Sequence, residues 1–401
     1  MRILFLANLV PYPLDNGGKI FTYSVLKALS DDNIVDVLCF YEKEDINKAK
    51  EELAGCCDSI TLLPIRVTTR ENMKYMMIKA ACSMFSFKPL AVNKYITKEM
   101  KNNIKNKMMQ NKYDCVFFNI LSMYGYAQYV KKINPNIKTV LYEQNCEALI
   151  YKRHLKETNN YLKQMFLKIE INKLDKFEQK SVCNVDKLIL LSDEDREALR
   201  INRDKCSIIP IGIHPTEYTK IFKMKKDNII RMLFVGTMTW APNNEGIIWF
   251  LKNVMPMCVE DNKYELYIIG KNPSNKVQEL CSQYKNVYLL GYVENLDEYY
   301  DKCDVLIVPL FIGSGQRVKI IEAFSRSYPV ISTSIGLEGL KYIDGETVMV
   351  ADDKYIFKQK IDSCFNYEML SRIGQAGKYI FDTEYSTEVI KSKINHAINN
   401  D

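Results

Sequence analysis

The sequence predicts an α/β protein of two Rossmann-like domains, and three observations carry that expectation. Short apolar, β-branched runs alternate with helical patterns along the chain, as parallel sheets require. Its 401 residues exceed the size at which one core usually stops growing. The series strand, glycine turn, helix also starts twice, near residue 3 and again after a charged, aperiodic stretch at 216–230.

The chain opens on MRILFLANLV. A buried strand is expected here rather than a signal peptide, given the single Arg2, the lack of a small-residue cleavage site, and the following Pro11, Pro13, Gly17 and Gly18. Residues 3–7 are therefore a first buried strand, 8–18 its loop and 19–29 a helix. Further strands are expected at 34–40, 58–63, 113–118, 137–142, 187–191 and 207–213. Helices are expected at 122–133, in the long charged stretch that follows 143–149 through about 182, and at 193–199, where Ser192 is the N-cap. NGGK is not the Gly-x-Gly-x-x-Gly of a dinucleotide site, which disfavours a nicotinamide enzyme.

The second series begins at 232–235 and turns at Gly236 into TMTWAPNN. Trp249 and Phe250 are expected in the core. Strands follow at 264–269 and 287–290, where Gly291 and Tyr292 open a loop. The central stretch is DVLIVPLFIGSGQRVKIIEAFSRSYPVISTSIGLEGL, 304–340. Residues 304–308 form a strand ended by Pro309. Gly313 and Gly315 allow a tight turn whose amides face one concavity, and Arg317 and Lys319 place positive charge beside it. A helix from Val318 to Phe324 aims its N-terminal amides at the same point, which makes a phosphate site. Glu322 lies about 6 Å along the axis from Val318, where a carboxylate suits a ribose diol. Helices at 354–365, 369–380 and 385–398 complete the chain.

Composition narrows the function. Apolar residues at 47% and charged residues at 26% are globular. Twelve cysteines lie mostly in apolar runs, with no Cys-x-x-Cys pair or Cys/His cluster, as expected of buried thiols in a reducing cytosol. Cys39, Cys115, Cys183, Cys258, Cys303 and Cys364 are read this way. No run of 18 apolar residues appears. The formal charge of +6 is modest, yet nine lysines face only Glu71 and Glu99 between residues 71 and 112. That stretch is either a solvated helical excursion or a peripheral contact with an anionic membrane or lipid-linked acceptor. A nucleic-acid groove is not indicated, for no aromatic stacking positions interleave the charges.

The segment 313–323, Gly-Ser-Gly-x-Arg-x-Lys-x-x-Glu-Ala, resembles the nucleotide-sugar site of the retaining glycosyltransferases of family 4. That resemblance covers nearly the whole chain and implies the GT-B architecture: two Rossmann-like domains facing across a cleft, with a C-terminal helix returning to the first. The implied divisions are 1–215 for the acceptor side, 216–230 as linker, 231–380 for the nucleotide sugar and 381–401 as the returning helix. It implies that Gly17 and Gly18 face the donor diphosphate, that Gly236 and Thr237 border the donor, and that Tyr292 lines the base pocket. Gly313, Ser314, Gly315, Gln316, Arg317 and Lys319 would hold the diphosphate and Glu322 the ribose, while Glu338 either frames the sugar or fixes its own loop.

EQNCEAL, 143–149, resembles the family's acceptor-side His-Asn-x-Glu, with Asn145 and Glu147 in place and Gln144 where histidine is expected. Gln144 cannot take a proton near neutral pH; Glu143 or Glu147 could. Arg317, Lys319 and Glu147 are the expected catalytic groups. Ser314 stands where many members carry a sugar-facing carboxylate, eight residues before Glu322. Of the three histidines, His154 is expected in solvent and His214 in a turn. No metal is expected, since no convincing Asp-x-Asp element is present; the donor would be a UDP- or GDP-sugar.

The implied activity is a bacterial hexosyltransferase reaction, with retention, onto a saccharide or lipid-linked saccharide of a capsule or exopolysaccharide. Its place would be the cytoplasm, at or near the inner membrane face. The alternatives are a noncatalytic nucleotide-sugar-binding subunit, and an epimerase or phosphorylase on the same scaffold.

Overall fold

The computed structural model describes all residues except 15, 67–82, 84, 85, 159, 223–226, 260–262, 314, 400 and 401. The chain divides into two compact units, Met1–Gly212 with Ile390–Asp401, and Ile213–Val389.

The first unit holds a seven-stranded parallel sheet in the order β3-β2-β1-β4-β5-β6-β7. Its strands are β1 (Arg2–Ala7), β2 (Ile34–Tyr41), β3 (Ser59–Pro64), β4 (Cys115–Asn119), β5 (Lys138–Glu143), β6 (Lys187–Leu190) and β7 (Ser207–Ile208). The central strands are buried on both faces past the first residues of β1 and β5, which explains why they read as unbroken apolar runs instead of alternating ones. β7 keeps only two of the seven residues expected, because Pro210 has no N–H for a ladder. The expected helix at 122–133 is two short ones, Leu121–Tyr124 and Ala127–Ile133. The expected long helix after β5 is also two, Glu147–Glu157 and Tyr161–Asn184. In the second of these, Leu167, Glu170, Leu174, Glu178 and Ser181 form the buried stripe. Cys183 falls off that stripe and is exposed, against expectation, whereas Cys39, Cys115, Cys258, Cys303 and Cys364 are buried.

The second unit has a six-stranded sheet, β10-β9-β8-β11-β12-β13, whose pairings are all parallel. The strands are β8 (Ile230–Val235), β9 (Tyr264–Ile269), β10 (Val287–Gly291), β11 (Val305–Val308), β12 (Val330–Ser332) and β13 (Met349–Val350). Its chain order reverses between β8 and β11, the crevice where open α/β sheets bind ligands. Phe250 is fully buried and Trp249 packs against the same core.

Part of the expected linker is built into the second unit. Lys220 is buried, and its ammonium donates to the carbonyls of Tyr300 (2.9 Å), Cys303 (2.8 Å) and Asp301. Three carbonyls satisfy the three protons of a buried ammonium. The helix Thr387–Asn399 begins in the second unit, and its residues from 390 on group with the first. There Lys391 pairs with Asp31 at 3.2 Å, and Lys138 donates to the carbonyl of Ile398 at 2.8 Å.

Candidate functional site

In the second unit the turn after β8 and the loop after β11 lie side by side. Gly313 (φ +112°) and Gly315 (φ +80°) both occupy backbone space that side chains avoid, so the loop depends on them. A Cβ on Gly313 would stand 3.1 Å from Arg317 Nη2 and 3.5 Å from Trp240, which joins the two turns. The loop feeds the helix Val318–Ser325, one residue longer than expected.

Arg317 immediately precedes that helix and is only 4% exposed. Its Nη1 donates to the carbonyl of Gly315, and its guanidinium lies 5.5 Å from the Trp240 ring centre. Lys319 Nζ donates to Asn243 Oδ1 at 2.8 Å, and Asn243 Nδ2 donates to the carbonyl of Thr237 at 3.0 Å. A Cβ on Gly236 would meet Lys319 Nζ at 2.8 Å. Gly236, Thr237, Gly313, Gly315, Arg317 and Lys319 are thus brought together at one sheet end. Burial, and secondarily Arg317, lower the Lys319 pKa to about 7, while Glu322 opposes the shift. A half-buried lysine beside a buried arginine is stabilised by whatever anion enters between them.

Gln316 Nε2 donates to the carbonyl of Gly339 at 2.6 Å, which ties this loop to the turn carrying Glu338. Glu322 is half-buried on the helix; burial raises its pKa, against the opposing pull of Arg326 and Lys319. Tyr292 stands apart, 64% exposed beside Lys271 Nζ at 4.3 Å from its ring. Ser314 lies outside the described residues. Asp353 caps the helix Lys354–Ser363, and Asp352 accepts from the Ser334 amide at 2.8 Å.

The first unit presents a second group of candidates. Its first helix starts at Gly17, two residues before the expected Lys19, because Asn16 is the N-cap and accepts from the Lys19 amide at 3.1 Å. Gly17 and Gly18 are therefore the first two helical residues rather than loop. A Cβ on Gly18 would lie 4.0 Å from Gln144 Oε1, so the glycine pair and the EQNCEAL segment adjoin. Glu147 begins the helix Glu147–Glu157; burial raises its pKa while Lys94 lowers it.

Glu143 is 2% exposed, with both carboxylate oxygens lacking a hydrogen-bond partner among the described residues. Burial, then Glu178 and Glu147, raise its pKa well above the ordinary carboxylate range. Glu178 is the group that sequence reasoning missed. It accepts from the Ala148 amide at 3.1 Å and from Cys146 Sγ at 3.6 Å, and burial pushes its pKa up to about 7. Its signal was present: an acid at a core-facing position of the Tyr161–Asn184 stripe.

The geometry at the β8 and β11 ends agrees with an independent comparison. Residues 230–366 match the family model for glycosyl transferases group 1. The matched segment contains both cations, Glu322 and all the glycines of the second-unit site. Over 373 residues the chain is 26% identical to an uncharacterized 44.6 kDa protein in the cps region of Klebsiella pneumoniae, covering 90% of each. Among solved structures, sucrose-phosphate synthase from Thermosynechococcus elongatus superposes with a TM-score of 0.71 at 16% identity, covering 98% of this chain and 97% of that one. HepE of Anabaena, in complex with UDP and glucose, gives 0.66 at 12% identity over 99% of both chains. The fold is GT-B, with two Rossmann-like domains. Among the described residues no helix is long and apolar enough to cross a membrane.

Proposed function

We propose that this protein is a retaining glycosyltransferase of family 4, which moves a hexose from a nucleoside diphosphate sugar to a hydroxyl of a saccharide or lipid-linked saccharide in bacterial capsule or exopolysaccharide synthesis. The observation that carries the reading is the convergence of Arg317, Lys319 and the Gly313–Gly315 turn at the start of the Val318–Ser325 helix, inside the segment matched by the group 1 model. The relative from a cps region supports the polysaccharide context, and HepE with UDP and glucose supports a nucleotide-sugar donor.

In this reading the bond between the anomeric carbon and the β-phosphate oxygen breaks, and negative charge grows on the leaving diphosphate. Arg317, Lys319 and the helix-start amides stabilise that charge. Glu322 holds the ribose and Tyr292 borders the base. The acceptor oxygen attacks the face that the diphosphate leaves, and its proton passes to a phosphate oxygen of the departing group. Configuration is retained without an enzymatic nucleophile. Glu147, with Gln144 and Glu143 beside it, orients the acceptor. A peripheral contact with the inner membrane face through 71–112 would bring a lipid-linked acceptor within reach; most of its apolar members, including Met76, Met77 and Phe85, lie outside the described residues.

The noncatalytic alternative is favoured by Gln144 in the histidine position. Calorimetric titration with a panel of UDP- and GDP-sugars, followed by product analysis with candidate acceptors, separates the two. Selective donor binding with transfer and retained anomeric configuration is expected. Binding without transfer to any acceptor would favour the noncatalytic subunit, and no binding across the panel would defeat both.

A further inference from the structure

The first unit contains a cavity of about 820 Å³ on the flank of its sheet, between the segment 124–131 and the C-terminal half of the Tyr161–Asn184 helix. Lys88, Lys131, Lys173, Lys176 and Lys180 line it, and no carboxylate among the described residues does. Lys131 and Lys173 are neutralised by acids outside the lining, Asp186 at 2.9 Å and Glu170 at 3.0 Å. The remaining three have no such acid among the described residues. Lys88 donates only to the carbonyl of Gly125 at 2.9 Å, and Lys176 and Lys180 have no carboxylate partner among the described residues. Lys173, Lys176, Lys180 and Phe177 follow helical spacing on one side of the helix, beside the stripe that carries the buried Leu174 and Glu178.

Beside the lysines, Phe87, Tyr124 and Phe177 add aromatic surface to a lining otherwise made of small and uncharged polar residues. Tyr124 and Phe177 meet edge to face at 6.4 Å, and Phe87 stands at the lining fully exposed, at 101% of its reference area. Cations alone would suit any phosphate. A cavity many times the size of a phosphate ion, with two aromatic rings in its lining and a fully solvated phenylalanine beside them, suits a phosphate that carries an apolar chain. Lysines and aromatics together are also the pair that settles at a membrane surface.

We propose that this cavity binds an anionic phospholipid, with its phosphate among Lys88, Lys176 and Lys180, the start of its chain against Tyr124 and Phe177, and Phe87 inserted at the interface. Burial, followed by Lys101 and Lys180, lowers the proton affinity of Lys88, as expected for a cation whose counter-ion comes from outside. The site lies wholly within the first unit; the inference rests on the membrane contact proposed above for 71–112, to which Phe87 and Lys88 belong, and its test does not depend on the transfer reaction.

The test is flotation of the full chain with vesicles of phosphatidylcholine, with and without phosphatidylglycerol, for the wild type, Lys176→Glu/Lys180→Glu and Phe87→Ser. The wild type is expected to float only with phosphatidylglycerol. The double variant should lose at least about tenfold in vesicle affinity, since each well-placed lysine counts for a several-fold change, and Phe87→Ser should also bind less. Lys176, Lys180 and Phe87 are solvent-exposed, so the fold is expected to survive, with unchanged circular dichroism as the control. Calorimetry with soluble dihexanoyl phosphatidylglycerol should give binding that equimolar inorganic phosphate does not displace. The proposal is overturned if the wild type does not float, if the double variant floats as well as the wild type, or if inorganic phosphate displaces the lipid.

Discussion

Lys319 Nζ lies 2.8 Å from Asn243 Oδ1, so the ammonium of one βα unit is held by the amide of another across the point where the sheet order reverses. That amide is fixed in turn by the Thr237 carbonyl at 3.0 Å. A lysine so held points in one direction whether or not it carries its proton.

With a pKa of about 7, Lys319 is partly neutral at physiological pH. A diphosphate beside it would raise that value, so binding should take up protons. Donor affinity is therefore expected to be constant below pH 7 and to fall as pH rises from 7 towards the raised value of the complex. Calorimetry in two buffers of different ionisation enthalpy would read the proton uptake directly; a pH-independent affinity would remove Lys319 from the anion site.

Arg317 is buried against Trp240 and the Gly315 carbonyl, and Lys319 cannot move to replace it while Asn243 holds it. Arg317→Ala is expected to lower kcat by about 10²–10³-fold, the usual loss when one charge-stabilising donor is removed. Steady-state rates at saturating acceptor check this, and an unchanged kcat would refute the assigned part.

Two glycines of the same unit should respond differently to alanine. At Gly236 the new methyl would stand 2.8 Å from Lys319 Nζ and 2.5 Å from Asn243 Nδ2, both side-chain atoms that can shift. Gly236→Ala should weaken donor binding roughly tenfold through a displaced cation. At Gly246 the methyl would meet the Pro309 carbonyl oxygen at 2.3 Å, which is backbone. Gly246→Ala should instead cost about 1–3 kcal/mol of stability. Thermal unfolding and donor titration of both variants test the contrast.

Glu143 gives a prediction whose sign follows from its raised pKa. The folded state binds its proton more tightly than the unfolded state does. Its stabilising share is complete below the ordinary value of 4.5 and is lost as pH climbs towards the folded value. Glu143→Gln keeps the shape of the neutral acid and removes the titration. The variant should match the wild type in Tm near pH 4 and exceed it by several degrees at pH 7–8; equal Tm at both would mean that Glu143 ionises freely.

Much of this was legible in the sequence because buried parallel strands read as apolar blocks. β1, β9 and β11 were found within a residue or so at each end. Gly313 and Gly315 betrayed their backbone conformation because few other residues adopt it. The two-residue β13 carried too little pattern to be seen. The contact between Lys319 and Asn243 spans 76 positions and has no local signature. Glu178 was hidden differently: in a helix rich in charge, an acid at a core-facing position resembles its solvated neighbours unless the stripe is traced through Leu167, Leu174 and Ser181.

At the ends of β8, β9 and β10 the chain places Gly236, Gly270 and Gly291 in successive contact. The Gly270 amide donates to the Gly291 carbonyl at 2.7 Å, and a Cβ on Gly270 would fall 1.9 Å from the Gly236 carbonyl oxygen. Bare peptide groups form this floor, and Gly270 leaves no room for a larger residue. Sequence drift that alters which small molecule is preferred must therefore accumulate in the rims, at positions such as Trp240, Lys271 and Tyr292, and a library aimed at new preferences should leave the three glycines untouched.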